Sequence, residues 1–309
     1  MNEINICLLT DNDYIIQTCV AITSIVENKA KESFYNIYIL CDMLLDDNIK
    51  KIMTLEKEKI KIKIINLNSN GKYLQYAMDV PASPTAIYKF SIPKILGKLD
   101  KVLYLDGDII VKKELCELYN YDLENNYIGA VKDTIGLSKS LYRLFIKQNV
   151  FYFNSGVLLM NLKKMRNDNV TEKLLEYRKK EYNELMDQDA LNYVLRGKVK
   201  ELPFLYNMQT LVTKKNNLEN LKKYYEFTNE IKNFDDIINN AVVVHFAGSK
   251  KPWKYFGGDG YDLWMNYFRK SPFKDEELKK TEYEEKKNFK IKYVIKKIRR
   301  YKFMKKFAK

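Results

Sequence analysis

Short apolar runs and longer amphipathic segments alternate along the first part of the chain. The runs at 4–9 and 34–40 predict strands buried on both faces, and alternating Ile and Lys at 60–67 predicts a half-buried strand. Between these strands, 15–26 and 46–59 have the pattern of helices. Strand, helix, strand, helix, strand in this order predicts parallel β-α-β units in a doubly wound α/β sheet.

The rest of the chain continues the alternation less regularly. Its patterns predict helices at 83–96, 169–182 and 187–195, strands at 127–133 and 241–246, an apolar run within 151–162 and an extended piece at 202–208. The segment 136–150 fits either a helix or a mobile lid, and the weakly patterned 211–240 is expected to be peripheral. The expected architecture is a mostly parallel sheet flanked by helices, with ligands bound beyond the carboxyl ends of its strands.

The segment 101–111 contains two carboxylates between two apolar runs. Asp106 and Asp108 are separated only by Gly107. Carboxylates are costly in a dry core unless a positive charge neutralises them, and hard oxygen ligands suit Mg²⁺ and Mn²⁺. In an extended chain the i, i+2 spacing turns both carboxylates toward one site, and Gly107 lets a ligand approach the backbone. The Asp-x-Asp pattern occurs three times in the chain, so by itself it also fits a polar turn at a strand end.

His245 is the only histidine, and it lies near the end of the apolar run 241–246. A lone histidine on a buried strand is usually a satisfied core residue, but imidazole can also join two carboxylates on Mn²⁺. Gly248 and Lys251 follow closely. A glycine followed by lysines offers backbone N–H groups and positive charge to a diphosphate, and the alternative is an ordinary turn with solvated lysines.

Two aspartates flank Gln188 at the start of the predicted helix 187–195. Asp187 and Asp189 fit a helix cap and an acidic first turn, which the helix dipole favours. The same polar groups also fit a surface that binds the hydroxyl groups of a sugar.

The formal net charge of the 309-residue chain is +14, and it is concentrated at one end. Residues 286–309 contain 12 Lys and Arg and no Asp or Glu, which leaves the preceding chain near neutral at +2. This distribution argues against a nucleic-acid surface spread over the fold and for one basic extension with an anionic partner. The four cysteines lack C-x-x-C spacing, which predicts buried thiols in a reducing compartment; neither a signal peptide nor a membrane span is expected.

The basic extension has an amphipathic pattern. On a helix, the apolar residues of the extension at Ile291, Val294, Ile295, Ile298 and Tyr301 would lie on one face. A basic amphipathic helix is typical of an element that lies on an anionic membrane surface, and the alternatives are a solvated tail and, less favoured, nucleic-acid binding. Two domains are expected, a catalytic domain at 1–270 and the extension at 271–309. Within the first, the donor-binding half is expected to end near 133, and the half that binds the sugar and the acceptor follows it.

Six segments in order along the chain together resemble one family of enzymes. They are 9–14, 85–96, 101–111, 153–162, 187–192 and 244–253. Their residues resemble those of the family 8 glycosyltransferases, the group that includes bacterial lipopolysaccharide galactosyl- and glucosyltransferases and glycogenin. The resemblance extends over residues 4–256 and is far more specific than any single motif. It implies a type A glycosyltransferase (GT-A) fold, a nucleotide-sugar donor and Mn²⁺ or Mg²⁺.

The resemblance also implies a role for each candidate residue. The metal ligands are expected to be Asp106, Asp108 and His245. The expected uridine-binding turn contains Thr10, Asp11, Asp13 and Tyr14, although the family often has Asn at the position of Asp13. Gly248 and Lys251 are expected to contact the diphosphate, and Lys89, where many members have Arg, is expected to reach the diphosphate or the sugar. Gly107 is expected to belong to the same cofactor site. The expected donor-sugar pocket contains Asp133, Asn154, Asp187 and Gln188.

By this resemblance the protein is expected to move galactose or glucose from UDP to a glycan hydroxyl with retention of the anomeric configuration. A nucleoside diphosphate is a poor leaving group until its negative charge is neutralised, and Mn²⁺ and Lys251 would supply the positive charge. As the diphosphate leaves, the anomeric carbon gains oxocarbenium character. Two routes give retention: Gln188 acts as a nucleophile through its amide oxygen, or the acceptor attacks on the face that the diphosphate leaves. An amide is a weak nucleophile, so same-face attack with Gln188 stabilising the cation is favoured.

The expected acceptor is lipopolysaccharide or another surface glycan or glycolipid. The expected location is the cytoplasmic side of the membrane, with residues 286–309 on its anionic surface. The competing hypothesis is a non-catalytic, membrane-peripheral protein of the same fold that binds a nucleotide or sugar. Such a protein would lack the metal site. The presence of Asp106, Asp108 and His245 argues against this hypothesis. No nucleic-acid partner is expected, because the charge is not spread over the body.

Overall fold

The protein is described here by a computed structural model that covers residues 2–67, 84–137, 151–181, 185–210, 218–227, 231–254, 260–278 and Met304. Residues 138–150 of the segment predicted as a helix or lid lie outside this part of the chain. The apolar stripe predicted between Ile291 and Tyr301 also lies outside it.

The strands lie at or near the predicted segments, except Val199–Glu201, which was not predicted. They are β1 (Asn2–Thr10), β2 (Ser33–Cys41), β3 (Ile60–Asn66), β4 (Lys101–Leu105), β5 (Ile109–Val111), β6 (Ile128–Lys132), β7 (Phe153–Asn161), β8 (Val199–Glu201), β9 (Met208–Gln209) and β10 (Val243–His245).

The α-helices lie between these strands. They are α1 (Ile15–Glu27), α2 (Asp46–Met53), α3 (Ile92–Ile95), α4 (Cys116–Tyr119), α5 (Leu162–Asn167), α6 (Val170–Lys180), α7 (Met186–Val194), α8 (Leu218–Tyr225), α9 (Phe234–Asn240) and α10 (Tyr261–Phe268). Three 3₁₀ helices also occur in the described residues: Pro84–Ser91, Thr134–Leu137 and Phe204–Asn207.

In the described part of the chain, seven strands form one sheet in the order β3-β2-β1-β4-β7-β6-β8. Every neighbouring pair is parallel except the two that involve β7, which is antiparallel to both β4 and β6. Strand order reverses beside β1, because β2 and β3 lie on one side of it and β4 on the other. The expectation of a mostly parallel sheet flanked by helices is therefore confirmed. Such a reversal point is where open α/β sheets bind ligands.

A second, smaller sheet has the order β5-β10-β9. β10 pairs antiparallel with β5 and parallel with β9. The two apolar runs of segment 101–111 belong to different sheets, β4 to the large one and β5 to the small one. The chain therefore crosses between sheets at residues 106–108.

Apolar layers cover both faces of the large sheet. Along β1, Ile6 and Leu8 belong to the layer that contains α1, whereas Cys7 and Leu9 belong to the opposite layer. This alternation is what a strand buried on both faces produces. The edge strand β3 alternates buried Ile60 and Ile62 with exposed lysines, as its pattern predicts.

Several predicted elements differ from the structure in extent or type. The helix predicted over 46–59 ends at Met53, because Lys57 and Ile60 pair in a tight turn and the Glu56 carboxylate accepts the N–H of Ile62. Most of the helix predicted at 83–96 is a 3₁₀ helix, and only Ile92–Ile95 is α-helical. The piece predicted as extended at 202–208 contains the 3₁₀ turn Phe204–Asn207.

All four cysteines are free thiols, and three of them are buried. Burial raises the pKa of the Cys19 thiol to about 12 and that of Cys41 to about 11, so neither is a reactive thiolate at neutral pH.

The described part of the chain contains no helix that is both long and apolar enough to span a membrane. Within the basic extension, Met304 is fully buried and belongs to the apolar layer that contains α1. This methionine therefore packs on the body of the protein.

Candidate active site

The turn between β4 and β5 carries the two central carboxylates. Its start is fixed by the Asp106 N–H, which donates to Gly156 O on β7 at 2.8 Å, and its end by the Phe246 N–H, which donates to Asp108 O at 3.0 Å. The buried Tyr104 hydroxyl donates to Asp106 Oδ1 at 2.6 Å. Backbone from both sheets thus fixes the turn at the point where strand order reverses.

The single histidine lies beside both carboxylates. His245 pairs with Ile109 across β10 and β5, which brings its ring to the turn. Its Nε2 atom is 3.3 Å from Asp108 Oδ1 and 3.9 Å from Asp106 Oδ2. One ligand atom from each of the three residues lies within 4.8 Å of the others, and no other group of three or more His, Cys, Asp or Glu in the described residues does so. Two carboxylates and an imidazole are a donor set that fits Mn²⁺.

Two glycines make room for this arrangement. At Gly156 an added Cβ atom would lie 2.3 Å from His245 Cε1 and 2.8 Å from Asp106 Oδ2, so only glycine leaves space for the ligand side chains. At Gly107 an added Cβ atom would lie 2.5 Å from Thr18 Oγ1. Gly107 therefore leaves room for the start of α1 beside the turn, and its contact with a ligand stays a prediction.

Two lysines neutralise the carboxylates. Lys251 Nζ forms an ion pair with Asp108 and also donates to Phe246 O at 2.6 Å. Burial would raise the pKa of Asp108, but the charges of Lys251 and His245 outweigh burial and hold that pKa well below its usual range. Asp108 is therefore ionised although it is only 8% exposed.

Lys89 is the second of these lysines. Its Nζ lies 2.6 Å from Asp187 Oδ2 and 3.4 Å from Asp106 Oδ1, and it donates to Ser155 O at 3.1 Å. Burial alone would lower the pKa of Lys89, but the two carboxylates raise it above its ordinary value. The buried ammonium thus joins the turn at Asp106 to the start of α7.

The predicted uridine-binding turn follows β1 and lies next to the carboxylates. Tyr14 N donates to Asp11 Oδ1 at 2.9 Å, and the buried Thr10 hydroxyl accepts a hydrogen bond from Thr18 at 2.9 Å. Burial and the charges of Asp108, Asp106 and Asp11 raise the pKa of the Tyr14 hydroxyl far above its usual value, so it stays protonated. Asp13 is exposed.

A second aromatic residue connects this turn to the segment after β10. The Tyr14 ring meets the ring of Trp253 edge to face, with centroids 5.9 Å apart. Lys251 Nζ lies 5.8 Å from the centroid of the Trp253 ring. Gly248 has a φ of 86°, a left-handed conformation that glycine adopts without strain, and it is exposed.

The four residues predicted to bind the donor sugar lie in contact. Gln188 Nε2 donates to Asp133 Oδ2 at 3.0 Å, and Asn154 Nδ2 donates to the same oxygen at 3.0 Å. Gln188 Oε1 accepts from Asn154 Nδ2 at 3.3 Å and from Ser155 N at 3.1 Å. Asp187 accepts from the Ser155 hydroxyl at 3.0 Å. The pocket is therefore a connected hydrogen-bond network on β7, α7 and the end of β6.

Asp189, the second aspartate beside Gln188, has a structural role. It is 1% exposed, accepts from the Tyr152 hydroxyl, and accepts the N–H of Leu185 at 3.1 Å. The helix begins at Met186, so Asp187 and Asp189 lie in its first turn and neither is the cap.

Sequence reasoning did not name several of the described residues that contact this site, among them Tyr104, Ser155 and Asn207. Tyr104 and Ser155 lie inside segments that carry the resemblance, next to Asp106 and Asn154, so their position was a usable signal. Asn207 lies in a 3₁₀ turn, 3.0 Å from His245 and 2.9 Å from Asn154. The sequence around it has no pattern that indicates these contacts.

Comparisons with known proteins show which sequences the chain is similar to. Residues 5–257 match the model of "Glycosyl transferase family 8". The chain is 29% identical over 293 residues to a lipopolysaccharide 1,2-glucosyltransferase of Escherichia coli, an alignment that covers 89% of this chain and 82% of that protein. It is 27% identical over 271 residues to general stress protein A of Bacillus subtilis, over 83% of this chain and 91% of that protein.

A solved structure has the same fold. The crystal structure of the galactosyltransferase LgtC in complex with donor and acceptor sugar analogs superposes with a TM-score of 0.68 at 21% identity, and the match covers 87% of this chain and 96% of that one.

Proposed function

The chain belongs to glycosyl transferase family 8, and on this premise we propose that it transfers galactose or glucose from a UDP-sugar to a hydroxyl group of a glycan with retention of the anomeric configuration. The observation that carries the proposal is the convergence of Asp106, Asp108 and His245 beside two lysines, one buried and one half-buried, and a hydrogen-bonded cluster of polar side chains. This arrangement fits the two halves of a nucleotide sugar, since a diphosphate requires cations and a hexose requires hydrogen-bond partners.

The leaving group is the part of the donor that requires most stabilisation. Mn²⁺ held by Asp106, Asp108 and His245 would supply a Lewis acid that neutralises the departing diphosphate. Lys251 adds a positive charge beside Asp108. Because its ammonium already contacts that carboxylate, only a small movement is needed for it to reach a phosphate bound at the same place.

The contacts of Gln188 favour attack of the acceptor on the face that the diphosphate leaves. Its amide oxygen accepts two N–H groups, from Asn154 and from the Ser155 backbone. An oxygen whose lone pairs are both engaged is an even weaker nucleophile than a free amide. Gln188 therefore acts as a dipole that stabilises the oxocarbenium-like carbon rather than as the attacking group.

Lys89 sets the position of the sugar pocket relative to the carboxylate turn. It contacts Asp106 on one side and Asp187 on the other. Its ammonium places a positive charge next to both carboxylates, and Asp187 can accept a further hydrogen bond from a sugar hydroxyl.

The acceptor that we propose is an envelope or surface glycan. The Escherichia coli relative is named for lipopolysaccharide, and the basic extension 286–309 suits a lipid-linked acceptor at an anionic membrane surface on the cytoplasmic side. The choice between galactose and glucose depends on contacts to one epimeric hydroxyl.

The experiment that tests the proposal is a panel of UDP-sugars. The protein is incubated with Mn²⁺ and each UDP-sugar, and release of UDP by slow hydrolysis is measured. UDP release from UDP-galactose or UDP-glucose, lost in Asp108→Asn, is the expected result. Binding of UDP with no hydrolysis and no transfer would instead support a non-catalytic binding protein.

Membrane binding is tested separately with anionic liposomes. Deletion of 286–309 would remove the buried Met304, so charge reversal is the cleaner change. We expect Lys296→Glu combined with Lys297→Glu to reduce co-sedimentation with phosphatidylglycerol vesicles, and the exposed Lys98→Glu on the body to have no effect. Equal co-sedimentation of all three proteins would contradict the membrane role of the extension.

A further inference from the structure

Asn207 is fully buried beside the metal-ligand set, and it contacts two residues that come from different parts of the site. Resting on the metal site of the proposed function, we infer that Asn207 is a positioning residue that fixes the tautomer of His245 and couples the metal site to the donor-sugar pocket. Nothing in the local sequence marks it, because it lies in the 3₁₀ turn before β9.

The orientation of the Asn154 amide group is fixed by its two neighbours. The backbone N–H of Gly156, which can only donate, lies 3.0 Å from Asn154 Oδ1. Asn154 Nδ2 lies 3.0 Å from the carboxylate oxygen Asp133 Oδ2, which accepts. A backbone donor and a carboxylate acceptor therefore assign the oxygen and nitrogen of Asn154 without reference to hydrogen positions.

The orientation of Asn207 follows from that of Asn154. Asn207 Nδ2 lies 2.9 Å from Asn154 Oδ1. A reversed Asn207 amide would place two carbonyl oxygens at this distance with no proton between them. Asn207 therefore presents its NH₂ group to Asn154 and its Oδ1 atom to the other partner.

That other partner is His245 Nδ1, at 3.0 Å from Asn207 Oδ1. The amide oxygen can only accept, so Nδ1 must carry a proton for the contact to be a hydrogen bond. In a neutral ring the lone pair is then on Nε2, the atom that lies 3.3 Å from Asp108 Oδ1 and faces the carboxylates. A partner on the remote nitrogen of a metal-binding histidine fixes the ring and its tautomer.

The backbone holds Asn207 in place for this role. Met208 pairs with Val244, and Gln209 pairs with His245, so β9 carries the 3₁₀ turn along the strand that ends in the ligand. The Gln209 side chain also accepts from Thr134 N and donates to Lys132 O, both at 3.0 Å. These are the residues immediately after and before Asp133. The buried segment 207–209 therefore connects the metal ligand His245 to the donor-sugar residues.

The test uses two Asn207 variants of the full chain and measures Mn²⁺ affinity from the free-Mn²⁺ signal in electron paramagnetic resonance. Asn207→Leu removes both contacts and should weaken Mn²⁺ binding by about 10- to 100-fold. Asn207→Asp keeps an oxygen for His245 Nδ1–H but loses the donor to Asn154. It should therefore retain Mn²⁺ affinity but hydrolyse UDP-sugar more slowly than the unmodified protein.

Asn36→Leu is the matched control. Asn36 is a buried asparagine that donates to Glu3 and Asn5 on the sheet, five residues before the end of β2. Its loss removes a buried amide without touching the site, so Mn²⁺ affinity should be unchanged. A loss of affinity in Asn36→Leu equal to that in Asn207→Leu would show a general effect of destabilisation and overturn the inference.

A spectroscopic measurement tests the tautomer directly. His245 is the only histidine, so the ¹⁵N signals of its ring in a sample loaded with diamagnetic Cd²⁺ are unambiguous. A protonated Nδ1 is expected, and a protonated Nε2 would overturn the inference even if Asn207→Leu failed to fold. Tight Mn²⁺ binding by folded Asn207→Leu would overturn it while leaving the proposed function intact, whereas absence of Mn²⁺ binding in the unmodified protein would overturn both.

Discussion

Lys89 Nζ donates to Asp187 Oδ2 at 2.6 Å although 98 residues separate them in the sequence. The same ammonium lies 3.4 Å from Asp106, and its side chain is only 3% exposed. The contact joins the 3₁₀ helix before α3 to the start of α7, so the sugar pocket and the carboxylate turn are held at one fixed separation.

Removal of the Lys89 charge should destabilise the protein strongly. Lys89→Met leaves Asp106 and Asp187 without their shared cation, and loss of one partner of a buried pair typically costs about 3 kcal/mol of unfolding free energy. Lys89→Arg keeps the charge and should retain most of the stability. Urea unfolding measures both.

The matched control for this change is Lys94→Met. Lys94 forms an ion pair with Glu172, but both side chains are at least half exposed, so the expected loss is below about 1 kcal/mol. Equal stability of the Lys89→Met and Lys94→Met proteins would contradict the role given to Lys89.

Gly156→Ala should abolish tight metal binding without disrupting the sheet. The new methyl group would lie 2.3 Å from His245 Cε1, so the imidazole or Asp106 must move. Gly129→Ala on β6 is the control, because the three atoms nearest to its methyl group belong to the side chains of Leu123 and Leu202 and not to the site. Titration with Mn²⁺ compares the two proteins, and unaltered affinity in Gly156→Ala would show that the ligands do not occupy the positions described.

The carboxyl group of Asp108 should contribute to acid stability in the metal-free protein. Lys251 and His245 hold its pKa below the usual value despite burial. A depressed pKa in the folded state stabilises the protein above the unfolded pKa of about 3.9, and this contribution is lost as pH falls through the range below it. Melting temperatures measured from pH 5 to pH 2 with EDTA should therefore fall less steeply for Asp108→Asn than for the unmodified protein.

The exposed Asp47→Asn provides the comparison for this pH series. It should follow the unmodified protein at every pH. The assignment of Asp108 would be wrong if its Asn variant and the Asp47→Asn variant lost melting temperature with the same slope.

Gln188→Ala should slow turnover but not abolish it. Loss of one preorganised dipole near the developing charge typically lowers kcat by about 100-fold. The affinity for UDP should stay the same, because Gln188 contacts the sugar pocket and not the carboxylate turn. Complete loss of turnover with intact donor binding would favour a covalent route through Gln188.

The first half of the fold could be predicted because its signals are local. Mostly apolar runs predicted β1 and β2, and the Ile and Lys alternation predicted β3 as a half-buried strand, which the structure places at the sheet edge. The position of β7 between β4 and β6 could not be predicted, since apolar strands buried on both faces look alike whichever neighbour they pair with and whichever direction they run. The likeness to LgtC confirms the GT-A type of fold.

The candidate site was predictable where residues lie inside the segments that resemble the family. Asp106, Asp108 and His245 were named from such segments and lie together in the structure. Asn207 was not named, because its two partners lie 38 and 53 residues away and only tertiary structure brings them together. The packing of Thr18 beside Gly107 was not predicted for the same reason, because the two residues are distant in sequence.

The most direct test of the account is anomalous diffraction from crystals grown with Mn²⁺ and UDP. One manganese peak is predicted within bonding distance of Asp106, Asp108 and Nε2 of His245, with the diphosphate bound to the same ion and Lys251 moved toward it. A UDP complex whose manganese lies away from these three side chains, or whose diphosphate does not contact the ion, would contradict the account.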